Sequence, residues 1–380
     1  MTRWHLVTSE YPPDVGGVSD YTAQLARALA EAGDEVHVWC PGEPRDMAPG
    51  VAVHAVLGAM SPTDLRAVDA GLDACPGPRR LLVQWVPHGF GYRSMNLGFC
   101  LWLARRARAG DHVELMVHEP YMEFSWRSPA HSAMAAVHRL MTLVVLGAAR
   151  RAWIAIPAWE ACLRPYALGR DVPMPWLPIP GCVPQTTLDA TGDPAALRAR
   201  FAPPAQAILG HFGSHGTVVG ALLDDCLPSI MDGPCAPALL LLGADGPSYR
   251  AAVVARHPAW APRVHASGFL EGSVLAAHLA VCDVLIQPYP DGVTSRRTSV
   301  MACLSQGRAV VTTAGRLTEP LWHASGAVAL AGVNDPGGMA DAVVRLLADA
   351  DARARLGRRA RELYLESFSV ERVVSALRVA

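Results

Sequence analysis

Two short stretches of this 380-residue chain combine residue types that handle anions. The first, SEYPPDVGGVSDYTAQLARALAEAG, runs from Ser9 to Gly33. It follows an apolar strand, Trp4-His5-Leu6-Val7, and carries Tyr21, Leu25, Ala28 and Leu29 at helical spacing up to a stop at Gly33. Gly16 and Gly17 therefore fall where strand gives way to helix and backbone N–H groups are left bare. Unpaired donors and the positive end of the helix dipole suit a phosphate there. The second stretch, DVLIQPYPDGVTSRRTSVMACLSQGRAVVTT, spans Asp283 to Thr313. A strand ends in a proline-bounded loop, and Thr298 or Ser299 is placed to cap the next helix. Arg296 and Arg297 stand just ahead of it, so donors, dipole and two guanidinium groups together form a diphosphate clamp. An ordinary strand–turn–helix with solvent-facing arginines fits the same pattern.

Other candidates sit at strand ends. His118 closes an apolar strand ahead of Glu119-Pro120, which places it where open parallel sheets bind ligands, although a strand-end histidine also serves structure alone. Asp291 precedes Gly292 in a turn, a common position for aspartate. Gly268 and Phe269 end a strand in VHASGF, where the aromatic either walls a ligand or packs in the core. QWVPHGFGY, Gln84 to Tyr92, follows a first-half strand with aromatic and polar groups. Tyr11, Trp85 and His88 are the residues expected to shape a pocket for a second substrate.

Composition removes several chemistries. All 33 basic residues are arginine, so a Walker lysine, a pyridoxal phosphate Schiff base and a lysine nucleophile are excluded. Any anion must be met by arginine, backbone N–H or helix ends. A net charge of -1 argues against nucleic acid as a partner. Nine cysteines without a CxxC pair fit reduced thiols in a cytoplasm, and neither a zinc site nor any other metal is expected. The start lacks a signal-peptide stretch, and no run of 18 apolar residues predicts a membrane span. No GxGxxG follows the first strand, and Trp39-Cys40 stands where a ribose-binding acid would serve a nicotinamide enzyme.

Apolar runs and helical patterns alternate through both halves. Strands are expected at Trp4–Thr8, Val36–Trp39, Leu81–Trp85, His112–His118 and Ala152–Ile156, then at Ala207–Gly213, Ala238–Gly243, Val264–Phe269, Val284–Pro288 and Ala309–Thr313. Helices are expected at Ala133–Arg150, Ser273–Cys282, Thr298–Gln306 and Gly338–Leu347. The proline-dense IPAWEACLRPYALGRDVPMPWLPIPGCVPQ reads as the passage between two α/β domains facing a cleft. ARARLGRRARELY reads as a solvated helix face. LGFCLWLARRARAG, Leu97 to Gly110, fits either a helix packed on the sheet or a peripheral membrane contact.

The ordered set of motifs resembles the retaining GT-B glycosyltransferases of family 4, the glycogen-synthase-like group. The Gly16-Gly17 loop is similar to that family's glycine-rich loop, VHEP to the segment with its active-site histidine, and DGVTSRRTSVMACLSQGRAVVTT to its donor-binding loop and helix. FSVERVVSAL resembles its C-terminal helix, which crosses back to the first domain. The resemblance implies two Rossmann-like domains, 1–180 on the acceptor side and 181–365 on the donor side, with 366–380 as the crossing helix. It implies a nucleotide diphosphate sugar as donor and a small-molecule, glycan or lipid acceptor, with no cofactor. His118 and Asp291 then face the transferred sugar; Gly16, Gly17, Gly268, Phe269, Arg296, Arg297, Thr298 and Ser299 face the rest of the donor. Where the family has two glutamates, this chain has Asp291 and Ser299. Where it places an arginine and a lysine after the first strand of the second domain, GHFGSHGTVVG has neither, and Arg296 and Arg297 are expected to substitute. A non-catalytic partner or chaperone on the same fold, or a sugar-nucleotide epimerase, are the alternatives.

Overall fold

The computed structural model describes residues 2–14, 16–43, 48–77, 79–184 and 193–379. Two compact units emerge, Met1–Pro178 with Val370–Ala380, and Ile179–Ser369. In the first, strands β1 (Arg3–Val7), β2 (Glu35–Trp39), β3 (Val51–His54), β4 (Arg80–Trp85), β5 (His112–Val117) and β6 (Arg151–Ile154) form one sheet in the order β3-β2-β1-β4-β5-β6. Every pairing is parallel, with Trp4 opposite Val36 on one side and Arg80 on the other. In the second, β7 (Ile208–Phe212), β8 (Ala238–Leu242), β9 (Val264–Ala266), β10 (Val284–Gln287), β11 (Ala309–Ala314) and β12 (Ala329–Gly332) run β12-β11-β10-β7-β8-β9, again all parallel. Both sheets thus wind outward in two directions from a pair of central strands, as expected from their continuous apolar runs. The winding reverses between β1 and β4 in one unit and between β7 and β10 in the other, and ligands in such sheets bind at that reversal, beyond the carboxyl ends of the strands.

The expected strands missed β3 and β12, which are edge strands of the two sheets. VAVH and ALAG are four residues each and only partly buried, so neither carries the apolar run that marks a central strand.

The helix Pro129–Ala148 is long and apolar enough by length and composition to cross a membrane, with a mean hydropathy of 1.2 over its best window. Its Met141, Val145 and Leu146 nonetheless lie in the first unit's core with Leu103 and Val117. The helix Leu97–Arg108 buries Phe99, Cys100 and Leu103 in the same core. Its basic end is committed to ion pairs: Arg106 lies 2.8 Å from Asp73 and 2.6 Å from Asp111, and Arg105 meets Asp69. This helix is packed on the sheet. The C-terminal helix Val370–Val379 belongs to the first unit, where Arg378 Nε stands 3.2 Å from Asp34 Oδ2.

Candidate active site

In the first unit, the loops after β1, β4 and β5 carry the sequence-selected residues. Gly16 is extended (φ -175°, ψ 153°) and Gly17 opens the helix Gly17–Glu31. No left-handed turn requires either. A Cβ at Gly16 would stand 2.8 Å from the Glu10 carboxyl carbon, so a larger residue there requires that carboxylate to move. Glu10 Oε1 accepts from the backbone N–H of Val18 (3.1 Å) and of Ser19 (2.9 Å). Two donors of this helix start, those of Val18 and Ser19, are therefore taken by the chain's own carboxylate, which sits at the favourable end of the helix dipole. Burial first, and then the Glu10 charge, raise the Asp20 pKa, so the site is acidic as well as occupied. Gly16→Ala is expected to dislodge Glu10 and cost about 1–2 kcal/mol, as loss of a helix cap does. A lowered urea midpoint at unchanged slope would show it; an unchanged midpoint would refute it.

His118 is buried at the end of β5. Its Nε2 lies 2.9 Å from Oε1 of Gln84 on the neighbouring strand β4, and the Tyr21 ring meets it edge-on at 5.2 Å between centroids. The Trp159 indole donates to the His118 carbonyl at 3.0 Å. Burial pushes the imidazole pKa down to about 3, so His118 is neutral at physiological pH. Gln84 accepts through its carbonyl oxygen, hence the His118 proton sits on Nε2 and Nδ1 is an acceptor.

The expected acceptor residues separate. Trp85 is fully buried, stacked on Phe90 at 5.4 Å and donating to the Pro120 carbonyl at 3.4 Å; it is a core residue and offers no surface to a substrate. Tyr11 is also buried, and burial raises its phenol pKa. His88 is half exposed, with Nδ1 3.6 Å from Glu119 Oε2, so these two side chains bridge the loops after β4 and β5. Beyond them the backbone of Tyr92, Arg93 and Ser94 has positive φ at three consecutive non-glycine residues. His138 Nε2 holds this strained segment by a 2.7 Å bond to the Ser94 carbonyl. Exposed aromatic rings, Tyr92, Phe124 and Trp126, rim this end of the unit.

In the second unit the equivalent strand ends are lined by backbone. Gly213 (φ 137°), Gly243 (φ 139°) and Gly268 (φ 69°) follow β7, β8 and β9, each in a region that favours glycine. Gly213 faces Ser299, whose Oγ would lie 3.6 Å from a Cβ there; Gly213 and Gly243 touch through backbone; Gly243 bridges Gly268. The result is a run of glycine backbone from the helix start at Ser299 to Phe269, which is 65% exposed, with the His215 and Pro247 side chains 3.6 and 3.8 Å from where Cβ atoms at Gly243 and Gly268 would stand. It crosses three strand spacings, about 14 Å.

At its Ser299 end the loop Pro288–Arg297 leads into the helix Thr298–Ser305. The N-cap is Arg297, without a side-chain bond, so neither Thr298 nor Ser299 caps the helix as expected. Ser299 Oγ instead lies 2.8 Å from the Tyr289 hydroxyl. The Arg297 guanidinium lies over the Tyr289 ring, 4.7 Å from its centroid, and both Arg296 and Arg297 are half-buried rather than facing bulk solvent. Asp291 is partly exposed, 3.4 Å from Arg316, and its carbonyl accepts from Leu317. The buried Glu319 fixes the loop: it accepts from the Ser295 backbone N–H at 2.9 Å, from the Ser295 hydroxyl, and from the Trp322 indole at 2.8 Å. His215, in the loop after β7, does not stand in for a phosphate-gripping cation. Its side chain is buried, Nδ1 lies 3.0 Å from Asp245, and burial lowers its pKa.

Sequence reasoning missed Glu10, Gln84, Tyr289 and Glu319. An acid six residues ahead of Gly16 and a glutamine inside the apolar run RLLVQW were visible signals; their partners were not. His5, His37 and Cys75 bring metal-type donor atoms within 4.8 Å of one another, the two histidines being paired in the middle of β1 and β2. The His5 and His37 rings are stacked at 4.9 Å, and both His37 nitrogens are already engaged, Nδ1 by His54 at 2.9 Å and Nε2 by Glu35 at 3.0 Å.

Comparison with known proteins gives the family and the fold. A family profile described as Glycosyltransferase Family 4 matches residues 15–153, and one described as Glycosyl transferases group 1 matches residues 207–349. Sucrose-phosphate synthase from Thermosynechococcus elongatus superposes with a TM-score of 0.73 at 19% identity, over 99% of this chain and 97% of that one. HepE of Anabaena, in complex with UDP, gives 0.70 at 15% identity, over 99% and 98%. The UDP-forming α,α-trehalose-phosphate synthase from Burkholderia xenovorans, in complex with glucose-6-phosphate, gives 0.69 at 13% identity, over 99% and 98%. At these identities the likeness concerns the fold. No curated protein matches the chain by sequence. The two profiles take in the body of both sheets, in order, and the chain belongs to the GT-B glycosyltransferases of the family 4 type.

Proposed function

We propose that this glycosyltransferase is a retaining, metal-independent enzyme whose donor is a nucleotide diphosphate sugar bound by the second unit. The observation that carries the reading is the glycine floor joining Phe269 to the Arg296-Arg297 helix start. A nucleobase stacks on the exposed aromatic, the ribose lies over glycines that leave it room, and the diphosphate reaches the guanidinium pair. HepE structures with UDP and with UDP-glucose support a uridine nucleotide as the first donor to try. The acceptor, a small molecule, a glycan or a lipid-borne group, meets the loops of the first unit around His88 and the aromatic rim.

In the proposed reaction the bond from the anomeric carbon to the β-phosphate oxygen breaks. The acceptor oxygen attacks from the same face, and its proton passes to the departing phosphate oxygen. Glycoside and nucleoside diphosphate are the products. No protein base is needed, which agrees with a neutral His118 that positions a sugar hydroxyl. The protein's part is chiefly electrostatic: Arg296 and Arg297 stabilise charge as it develops on the leaving group. Asp291 accepts from a sugar hydroxyl.

The test is a panel of nucleotide sugars scored by thermal stabilisation, followed by turnover with and without a chelator. One donor is expected to raise the melting point through linkage, and the chelator is expected to leave its turnover intact. Failure of every nucleotide sugar to stabilise the protein would contradict the reading. The absence of a carboxylate at Ser299 favours one second reading, a non-catalytic partner subunit. Donor stabilisation without turnover, restored to turnover only by a partner protein, would establish that alternative.

A further inference from the structure

Gln84 is the one polar side chain in the interior of RLLVQW, and it is fully buried. Its amide Nε2 finds no hydrogen-bond partner among the described residues. A buried amide with an unsatisfied N–H group is destabilising, and leucine would suit this strand better. Its single bond, from His118 Nε2 to Gln84 Oε1, is therefore the contact that gives the residue a purpose. The Tyr21 ring stands edge-on to the imidazole, and the carboxylate nearest in sequence, Glu119, lies 3.6 Å from His88.

We propose that Gln84 is a positioning residue: it locks His118 in the Nε2–H form, so that Nδ1 is presented as an acceptor to a hydroxyl of the sugar substrate. This rests on the reading of the site given above. It adds a constraint on substrate class. The sugar carries a hydroxyl at the position facing His118, because a carboxylate or phosphate there would meet a lone pair and no compensating donor.

Two variants of the full chain test this, Gln84→Leu and Gln84→Glu. An imidazole nitrogen–proton correlation spectrum of wild type should show the His118 proton on Nε2. Gln84→Glu keeps an acceptor and should keep that proton position, while Gln84→Leu should yield a mixture of tautomers. With a donor that turns over, Gln84→Leu should lose at least about tenfold in kcat/KM, as expected for a lost hydrogen bond to the substrate. Its UDP affinity and melting point should not fall. Gln84→Glu should retain transfer at alkaline pH and gain an acid limb that wild type lacks, since a carboxylate raises the histidine pKa. The spectrum requires no substrate, so a wild-type proton on Nδ1, or an unchanged spectrum in Gln84→Leu, overturns the inference whatever the protein's activity. A melting point that collapses in Gln84→Leu with the tautomer intact also overturns it, by making Gln84 merely structural.

Discussion

Replacing Arg296 and Arg297 together by alanine is expected to weaken UDP binding by roughly 100-fold or more. Each guanidinium–phosphate bond is charge-assisted and contributes about 1.5–3 kcal/mol, and about 1.4 kcal/mol corresponds to tenfold in affinity. The chain contains no lysine to compensate, and at the helix start of the first unit Glu10 already accepts from Val18 and Ser19. Arg297→Ala alone should also lose the stacking on Tyr289, at about 1 kcal/mol of stability, which separates it from Arg296→Ala. Titration calorimetry at low and high salt measures the effect, with Arg316→Ala as the control on a cation paired to Asp291. Equal UDP affinity in the double variant and wild type would remove the arginine pair from the donor site.

A steep loss of stability on mild acidification is the second large effect. Burial lowers the pKa of His5 and His118 to about 3 and that of His211 to about 4, against about 6.5 in the unfolded chain. Between the folded and unfolded values the unfolded chain binds more protons, so acid favours unfolding. The contribution is complete above pH 6.5 and is lost progressively as pH falls towards the folded values. At pH 5 each of the three histidines should have forfeited about 2 kcal/mol, a substantial part of a typical domain's stability. The midpoint of urea unfolding should therefore drop sharply from pH 7 to pH 5, before ordinary carboxylates titrate. A midpoint that stays level over that interval would show that these imidazoles are charged or solvated in the folded state.

The layered fold was legible in the sequence because central parallel strands are covered on both faces. RLLVQW, HVELMV and ALLLL read as continuous apolar runs, whereas VAVH and ALAG, at sheet edges, lack that signal. The candidate site was legible by position only. His118 directly follows β5, Asp291 lies in the loop after β10, and the arginine pair stands at the start of the helix Thr298–Ser305, as their spacing predicts. What each side chain touches was not legible, since it depends on residues far away in the chain. Gln84 and His118 are 34 residues apart, and the Ser295–Glu319 contact spans 24. Glu10 is a further case: it accepts from Val18 and Ser19 at the helix start after the paired glycines, a pairing that the local motif does not reveal. Trp85 was expected to shape the second-substrate pocket, yet its strand turns it into the core.

A crystal of the full chain soaked with UDP would decide where the donor sits. The diphosphate should lie against Arg296 and Arg297, with the ribose over Gly213 and Gly243 and uracil beside Phe269. Diphosphate density at Gly16 and Gly17 of the first unit, with Glu10 swung away, would contradict the assignment.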